Sequence, residues 1–288
     1  MDLKDGMKTV EKWDIVIRPQ NKWYDIDLKG VWHYRDLIGL FVRRDFFTAY
    51  KQTIIGPFWM VLQPLAMTLM FSVIFGRVAN ISTGGAPRLL YYLAAYVPWT
   101  YFAECFNKTS TTFSANAGIF GKVYFPRLVS PVSSLISNVF KLVVQLLLFI
   151  VTYLIFIYKG AIVSPNYHIV FIPFLLVLLA GFGLAFGLIV SSMTNKYRDL
   201  TFLVAVGIQM LMYGSSVIIS FSSFGPSLQK YLKWNPILWV MEAFRYATTG
   251  VGIWSWHGLA YSAFLMLLFL FLSIVIFNRV EKTFMDTV

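Results

Sequence analysis

Residues 43–65 read Arg-Arg-Asp-Phe-Phe-Thr-Ala-Tyr-Lys-Gln-Thr-Ile-Ile-Gly-Pro-Phe-Trp-Met-Val-Leu-Gln-Pro-Leu. A charged, partly amphipathic run carrying Arg35, Asp36, Arg43, Arg44, Asp45 and Lys51 passes through Gly56-Pro57 directly into an apolar run from Phe58 to Val78. That run has the ~20 residues a bilayer-crossing helix needs. One side of the junction therefore lies at the water boundary and the other enters lipid. Lys and Arg are retained on the cytoplasmic side of membranes, so this junction orients everything that follows. Physics alone leaves it as a membrane anchor with basic flanks.

Composition decides the class. Of 288 residues, 58% are hydrophobic and 13% charged, with a mean hydropathy of +0.68, whereas soluble domains carry roughly 25% charged residues. An integral membrane protein is expected. The net charge of +11 looks like a nucleic-acid signal until it is located. Many of the cations precede the first apolar run, but most of the acids are interleaved with them. The excess is the pattern of loops held in the cytoplasm beside anionic lipid, so no nucleic-acid partner is expected. Residues 1–50 are polar and lack the basic start, short apolar core and small-residue cleavage site of a signal peptide. Cys105 is the single cysteine, which excludes an intramolecular disulfide and a Cys-rich metal site.

Apolar runs predict six crossings, at about 58–78, 89–106, 139–158, 169–193, 202–221 and 259–278. The expected fold is an all-α integral membrane protein, with a cytoplasmic lead and interfacial amphipathic helix over 1–54 and a six-helix transmembrane domain over 55–288. Residues 107–138 form a Ser/Thr-rich connection. Residues 222–258 are moderately apolar but broken by Gly225-Pro226, Asn235-Pro236 and Gly250. They suit short re-entrant helices between spans 5 and 6, which are tolerated only where protein or a water-filled cavity covers the backbone. Six crossings place both termini on one side. If that side is cytoplasmic, only Arg77, Arg88, Lys159, Lys230, Lys233 and Arg245 are left outside, with Lys141 inside a span.

Few residues invite chemistry. Residues 116–123 contain Gly121-Lys122 but carry Asn116 where a phosphate loop needs Gly and Val123 where it needs Ser or Thr. His33, His168 and His257 stand apart, without paired carboxylates, and read as interfacial. No catalytic residue, metal or cofactor is expected in the chain. Tyr92, Tyr96, Trp99 and Phe106 fall on one helical stripe. Such a stripe suits core packing, a lipid belt, or a path on which sugar rings stack while their hydroxyls meet the polar edges of Tyr and Trp. Phe58 and Trp59 are candidates for the same surface. Glu242 and Arg245 are spaced to pair on a short helix; intramembrane charges point to function, though a pair at the outer interface satisfying itself is the plainer alternative. Phe120, between Gly118 and Gly121, reads either as an exposed apolar residue that needs a partner to cover it or as part of a plain surface loop. Glu104 and Lys141 can pair with each other, and Gly181, Gly183, Ala185 and Gly187 form a small-residue ridge for close helix packing.

Three stretches are more particular in wording than in physics. The first holds Arg44-Asp45, Tyr50-Lys51-Gln52-Thr53, Ile55-Gly56, Trp59 and Gln63-Pro64-Leu65. The second is Gly118-Ile119-Phe120-Gly121-Lys122-Val123 with Phe125-Pro126-Arg127. The third is Asn235-Pro236-Ile237 with Glu242-Ala243-Phe244-Arg245, closing at Gly250. In order and spacing they resemble ABC-2 type exporter permeases, above all those exporting lipid-linked O-antigen, capsule or teichoic acid polymers. The resemblance runs from about residue 30 to the tail.

It implies a homodimer in the bacterial inner membrane, with both termini cytoplasmic and a separate ABC ATPase subunit that binds the ATP and Mg. The stretch Gly118, Ile119, Phe120, Gly121, Lys122 and Val123 would dock into that ATPase. Phe58, Trp59, Tyr92, Tyr96, Trp99 and Phe106 would line the path of a lipid-linked polysaccharide. Asn235, Pro236, Glu242 and Arg245 would belong to a re-entrant periplasmic gate. The chain departs from the pattern in its long N-terminal lead, and no residue ties it to one polymer. A small-molecule permease, a membrane-embedded transferase and a membrane scaffold are the rival readings.

Overall fold

The computed structural model describes residues 28–51, 56–120, 122–123, 125–161, 166–194 and 199–284. The described residues are helical, joined by turns and irregular segments. In chain order the helices are α1 (Leu28–His33), α2 (Arg35–Tyr50), α3 (Trp59–Phe71), α4 (Arg88–Ser110), α5 (Thr112–Phe120), α6 (Val129–Tyr158), α7 (Ile172–Thr194), α8 (Leu200–Gly214), α9 (Pro226–Leu232), α10 (Pro236–Thr249) and α11 (Trp256–Phe284). Four stretches among the described residues are long and apolar enough to cross a membrane: Gly56–Val78, Val129–Tyr158, Tyr167–Thr194 and Trp256–Val280. They make this a multi-pass membrane protein.

α3 opens through Gly56-Pro57, where Gly56 takes φ of 51°, and it continues as a π-helical stretch over Ser72–Val78. Pro64 lies inside α3 and removes one backbone donor. The Thr68 hydroxyl donates to the carbonyls of Pro64 (2.7 Å) and Leu65 (3.1 Å), a local bond that suits a bent helix.

Two expected crossings are not among these four. α4 spans the right length, but it is too polar to count as a lipid-facing span, since it carries Arg88, Glu104, Lys108 and several tyrosines. The reason is its position. It packs against α3, α6, α7 and α10 and is buried without a break from Leu90 to Trp99, so its surface meets protein and not lipid. The fifth run, expected over 202–221, is helical only to Gly214; Ser215–Ser220 turn away, with Ser216 at φ of 58°. The Ser/Thr-rich connection is also more helical than its composition suggests. α4 extends to Ser110, α5 follows at once, and α6 begins at Val129, ten residues before the apolar run. Its small polar residues bond back to the preceding turn, as Ser133 does to Ser130 (2.7 Å) and Ser137 to Ser133 (2.9 Å).

The glycine ridge of α7 packs two ways. A Cβ on Gly183 would meet the Cys105 Cβ at 2.7 Å, and one on Gly187 would meet the Thr109 Cβ at 2.5 Å and the Phe106 carbonyl at 3.0 Å, so α4 and α7 approach backbone to backbone. Gly181 turns instead to α11, where its Cβ would meet the Met266 sulfur at 2.5 Å.

Candidate functional site

At one end of the bundle, α10 begins at Asn235-Pro236. The Asn235 Oδ1 accepts from the Ile237 amide (3.0 Å), capping the helix, and its Nδ2 donates to the Gly214 carbonyl (2.9 Å) and the Ser215 hydroxyl (3.0 Å). One side chain thus starts α10 and ties it to the end of α8. Pro236 occupies the first helical position, where its missing N–H costs nothing.

About two turns further along, Arg245 donates from Nη1 to Glu242 Oε1 at 2.9 Å, and both side chains are 0% exposed. Around the carboxylate, Oε1 accepts from the Ser216 hydroxyl, the Phe221 amide (2.9 Å) and the Ser220 hydroxyl (3.3 Å), while Oε2 accepts from the Ile253 amide (3.1 Å). The guanidinium Nη2 donates to the carbonyls of Ser216 and Val217, and its carbon lies 4.5 Å from the centroid of the Tyr91 ring. Desolvating both charges is costly, and these partners offset it; the guanidinium Nε is buried without a hydrogen-bond partner. The pair is therefore enclosed by protein and does not satisfy itself at an exposed interface. It fastens the irregular segments on both sides of α10 to that helix.

The sequence reading missed three parts of this latch. Ser216 and Ser220 supply hydroxyls, and Gly252, at φ of 130°, passes so close that a Cβ would sit 2.9 Å from the Glu242 carbonyl and 3.1 Å from its Oε2. The paired serines after Gly214 and the Gly250-Val251-Gly252 run were the available signals. His168, in the turn that opens the Tyr167–Thr194 stretch, is buried, with its ring centroid 4.2 Å from Trp254 and 3.9 Å from Tyr167, because Asn166 ties this turn to α10 through the carbonyls of Tyr246 (3.3 Å) and Ala247 (3.4 Å).

The opposite end holds the 118–123 stretch. Here Phe120 corrects the sequence reading: it is 2% exposed, packed on Phe113 and Phe125 with the Arg127 guanidinium 5.5 Å from its ring. Two neighbouring glycines do not expose it, because α5 turns that side of the helix onto a second aromatic core shared with Phe41 of α2 and Phe277 of α11. What the stretch presents outward is Gly118, Lys122 and Val123, the last 58% exposed; Ile119 is half-buried and its carbonyl accepts from the Lys122 and Val123 amides (3.0 and 3.2 Å). Gly121 lies outside the described residues.

The aromatic stripe divides. Tyr92, Tyr96, Trp99 and Phe106 are buried within the chain, and Tyr92 and Tyr96 both stack edge-on against Phe71 of α3 (6.1 and 5.8 Å). A helix enclosed on all sides packs its aromatics, so within one chain these four line no open path. Phe58 and Trp59 are 58% and 50% exposed and stay available as a surface. Glu104 and Lys141 do form an ion pair, at 2.6 Å. Among the described residues no group of three or more His, Cys, Asp or Glu is placed to hold a metal ion.

α4 joins the two ends. Tyr91, against Arg245, and Ser110, where α5 begins, are separated by about 28 Å of helix, close to the ~30 Å of a hydrocarbon core.

Residues 36–249 match the family model of the ABC-2 type transporter. The chain is 23% identical over 211 residues to the O-antigen export system permease protein RfbA of Klebsiella pneumoniae, covering 73% of this chain and 79% of that one. It is 22% identical over 220 residues to the protein of the same name from Myxococcus xanthus, covering 76% and 82%. It is also 22% identical over 251 residues to the polysialic acid transport protein KpsM of Escherichia coli, covering 85% and 93%. With its multi-pass helical body and a family match across most of its length, the chain belongs to the ABC-2 type transporter family.

Proposed function

We propose that this chain is the membrane-spanning permease subunit of an ABC exporter that passes a lipid-linked polysaccharide, an O-antigen, across the bacterial inner membrane. The observation that carries the reading is the extended likeness to permeases named for O-antigen export. Two copies form the path, and a separate ATPase subunit binds ATP and Mg and hydrolyses the nucleotide. α4 and α8 complete six crossings with both termini cytoplasmic, and α9 and α10 re-enter from the periplasmic side.

In this reading the outward residues Lys122 and Val123, with Gly118, meet the ATPase. Movement there is carried along α4 to Tyr91 and the Glu242–Arg245 latch, which holds the periplasmic gate. Phe58 and Trp59 offer stacking faces to the sugar at the cytoplasmic mouth. The capsule reading has its own support, since the likeness to the polysialic acid transport protein covers more of both chains.

Deleting the gene and examining which polymer accumulates tests both. Lipid-linked O-antigen trapped in the cytoplasm is the expected result; trapped capsular polymer moves the assignment to capsule, and unaltered surface glycans contradict the proposal.

A further inference from the structure

Beside the latch lies a cavity of about 640 Å³ that reaches Asn235 and Pro236 at the start of α10. It opens where α8 stops at Gly214 and the next residues turn inward to Glu242 and Arg245. Its walls are Phe186 of α7, Leu211 and Gly214 of α8, and Tyr261, Leu265 and Phe269 of α11. They are almost wholly apolar, and the volume falls in the ~300–1,000 Å³ range of sites for a single small molecule. From Tyr261 to Phe269 the cavity runs about 12 Å along α11, close to the ~15 Å depth of one leaflet's hydrocarbon.

The mouth has a different chemistry. The Tyr261 hydroxyl donates to the Trp234 carbonyl at 3.1 Å, which fixes the end of α9 about five residues, or ~7 Å, below the start of α11 at Trp256. Tyr231, Trp234 and Trp256 are exposed there, the aromatic composition of a membrane–water boundary. Lys230 and Lys233 are exposed at the same level, and neither has an ion-pair partner among the described residues. An apolar slot one leaflet deep, with two free ammonium groups at headgroup height, complements one kind of occupant.

We propose that this cavity binds an anionic glycerophospholipid, one acyl chain lying between α8 and α11 and its phosphate held by Lys230 and Lys233. The occupant is a lipid of the surrounding bilayer, not the exported cargo. Binding there braces α9 and the Asn235 cap against the end of α8, so the gate segment senses the charge of the membrane around it. The site depends only on α9 lying at a membrane surface and stands whichever polymer the protein carries.

The test is native mass spectrometry of the full chain, as purified with its partners, incubated with phosphatidylglycerol or with phosphatidylcholine of the same chains. The unaltered protein is expected to retain phosphatidylglycerol roughly tenfold better, from two cations near a surface phosphate. Lys230→Gln with Lys233→Gln removes that preference while leaving chain binding. Gly214→Phe fills the slot from a position where an added Cβ meets nothing within 4 Å, and it removes both lipids. If Gly214→Phe does not fold, the lysine pair alone decides. Equal retention of the two lipids by the unaltered protein, undiminished preference in the lysine variant, or displacement of phosphatidylglycerol by a polyprenyl phosphate overturns the proposal.

Discussion

The Arg245 guanidinium lies 4.5 Å from the centroid of the Tyr91 ring, on the face of α4 that meets α10. Tyr91 is fully buried, and Arg245 is held on its other side by Glu242 and the carbonyls of Ser216 and Val217. The central helix of the bundle is thereby joined to a fully buried ion pair. Removing one charge while leaving the other follows directly as a test. Arg245→Met is expected to destabilise the protein by about 3–5 kcal/mol, because an uncompensated buried carboxylate remains. Glu242→Leu combined with Arg245→Met is expected to recover much of that loss. Thermal melting in detergent of the single and double variants checks it; a double variant as unstable as the sum of the singles contradicts the pairing.

Close approach of α4 and α7 gives a second expectation. Gly187→Leu forces atoms into Thr109 and the Phe106 backbone and is expected to cost at least ~1–3 kcal/mol. Gly181→Ala displaces only the end of a flexible Met266 side chain and is milder, and Gly207→Ala, with nothing within 4 Å, is neutral or slightly stabilising. Melting temperatures in that order support the packing.

Phe120 and Val123 separate support from surface. Phe120→Ala empties a site in the aromatic core and is expected to cost about 3–5 kcal/mol. Val123→Asp, on an exposed residue, changes stability by roughly 0.5 kcal/mol or less. The reverse order in a denaturation series contradicts the burial of Phe120.

Among the aromatics, Trp59→Ala is expected to lower polymer export with melting unchanged, since the ring is half exposed and stacking contributes about 1 kcal/mol. Tyr96→Ala removes a buried ring stacked on Phe71 and lowers stability first. Export measured at matched protein levels distinguishes the two effects.

Much of this was legible in residues. The junction at Gly56-Pro57, the apolar runs of α6, α7 and α11, the glycine ridge and the Glu242–Arg245 spacing each carry a local signal. The sequence marks α4 as a helix but leaves its aromatic stripe open among core, lipid and path, because periodicity says which residues share a face and not what covers that face; the path is what the family resemblance implies. Protein on every side of α4 decides that. Phe120 differs from its reading for the same reason: its glycine neighbours describe backbone freedom, while it packs on Phe113 and Phe125, which meet Phe277 and Phe41, distant in sequence. The paired serines after Gly214 mark a polar break in an apolar run, but no spacing rule links Ser216 to residue 242.

In the function proposed above, this chain works with a separate ATPase through the exposed end of the 118–123 stretch. The most direct measurement is co-purification of the full chain with ABC ATPase subunits of its own cell, with ATP hydrolysis as the readout, comparing the unaltered protein with Lys122→Glu combined with Val123→Asp. The account predicts a stable, ATP-hydrolysing complex and at least a tenfold loss of association in the variant, whose own melting is unchanged. If no ATPase associates, or if the variant binds it as well as the unaltered chain does, the account is contradicted.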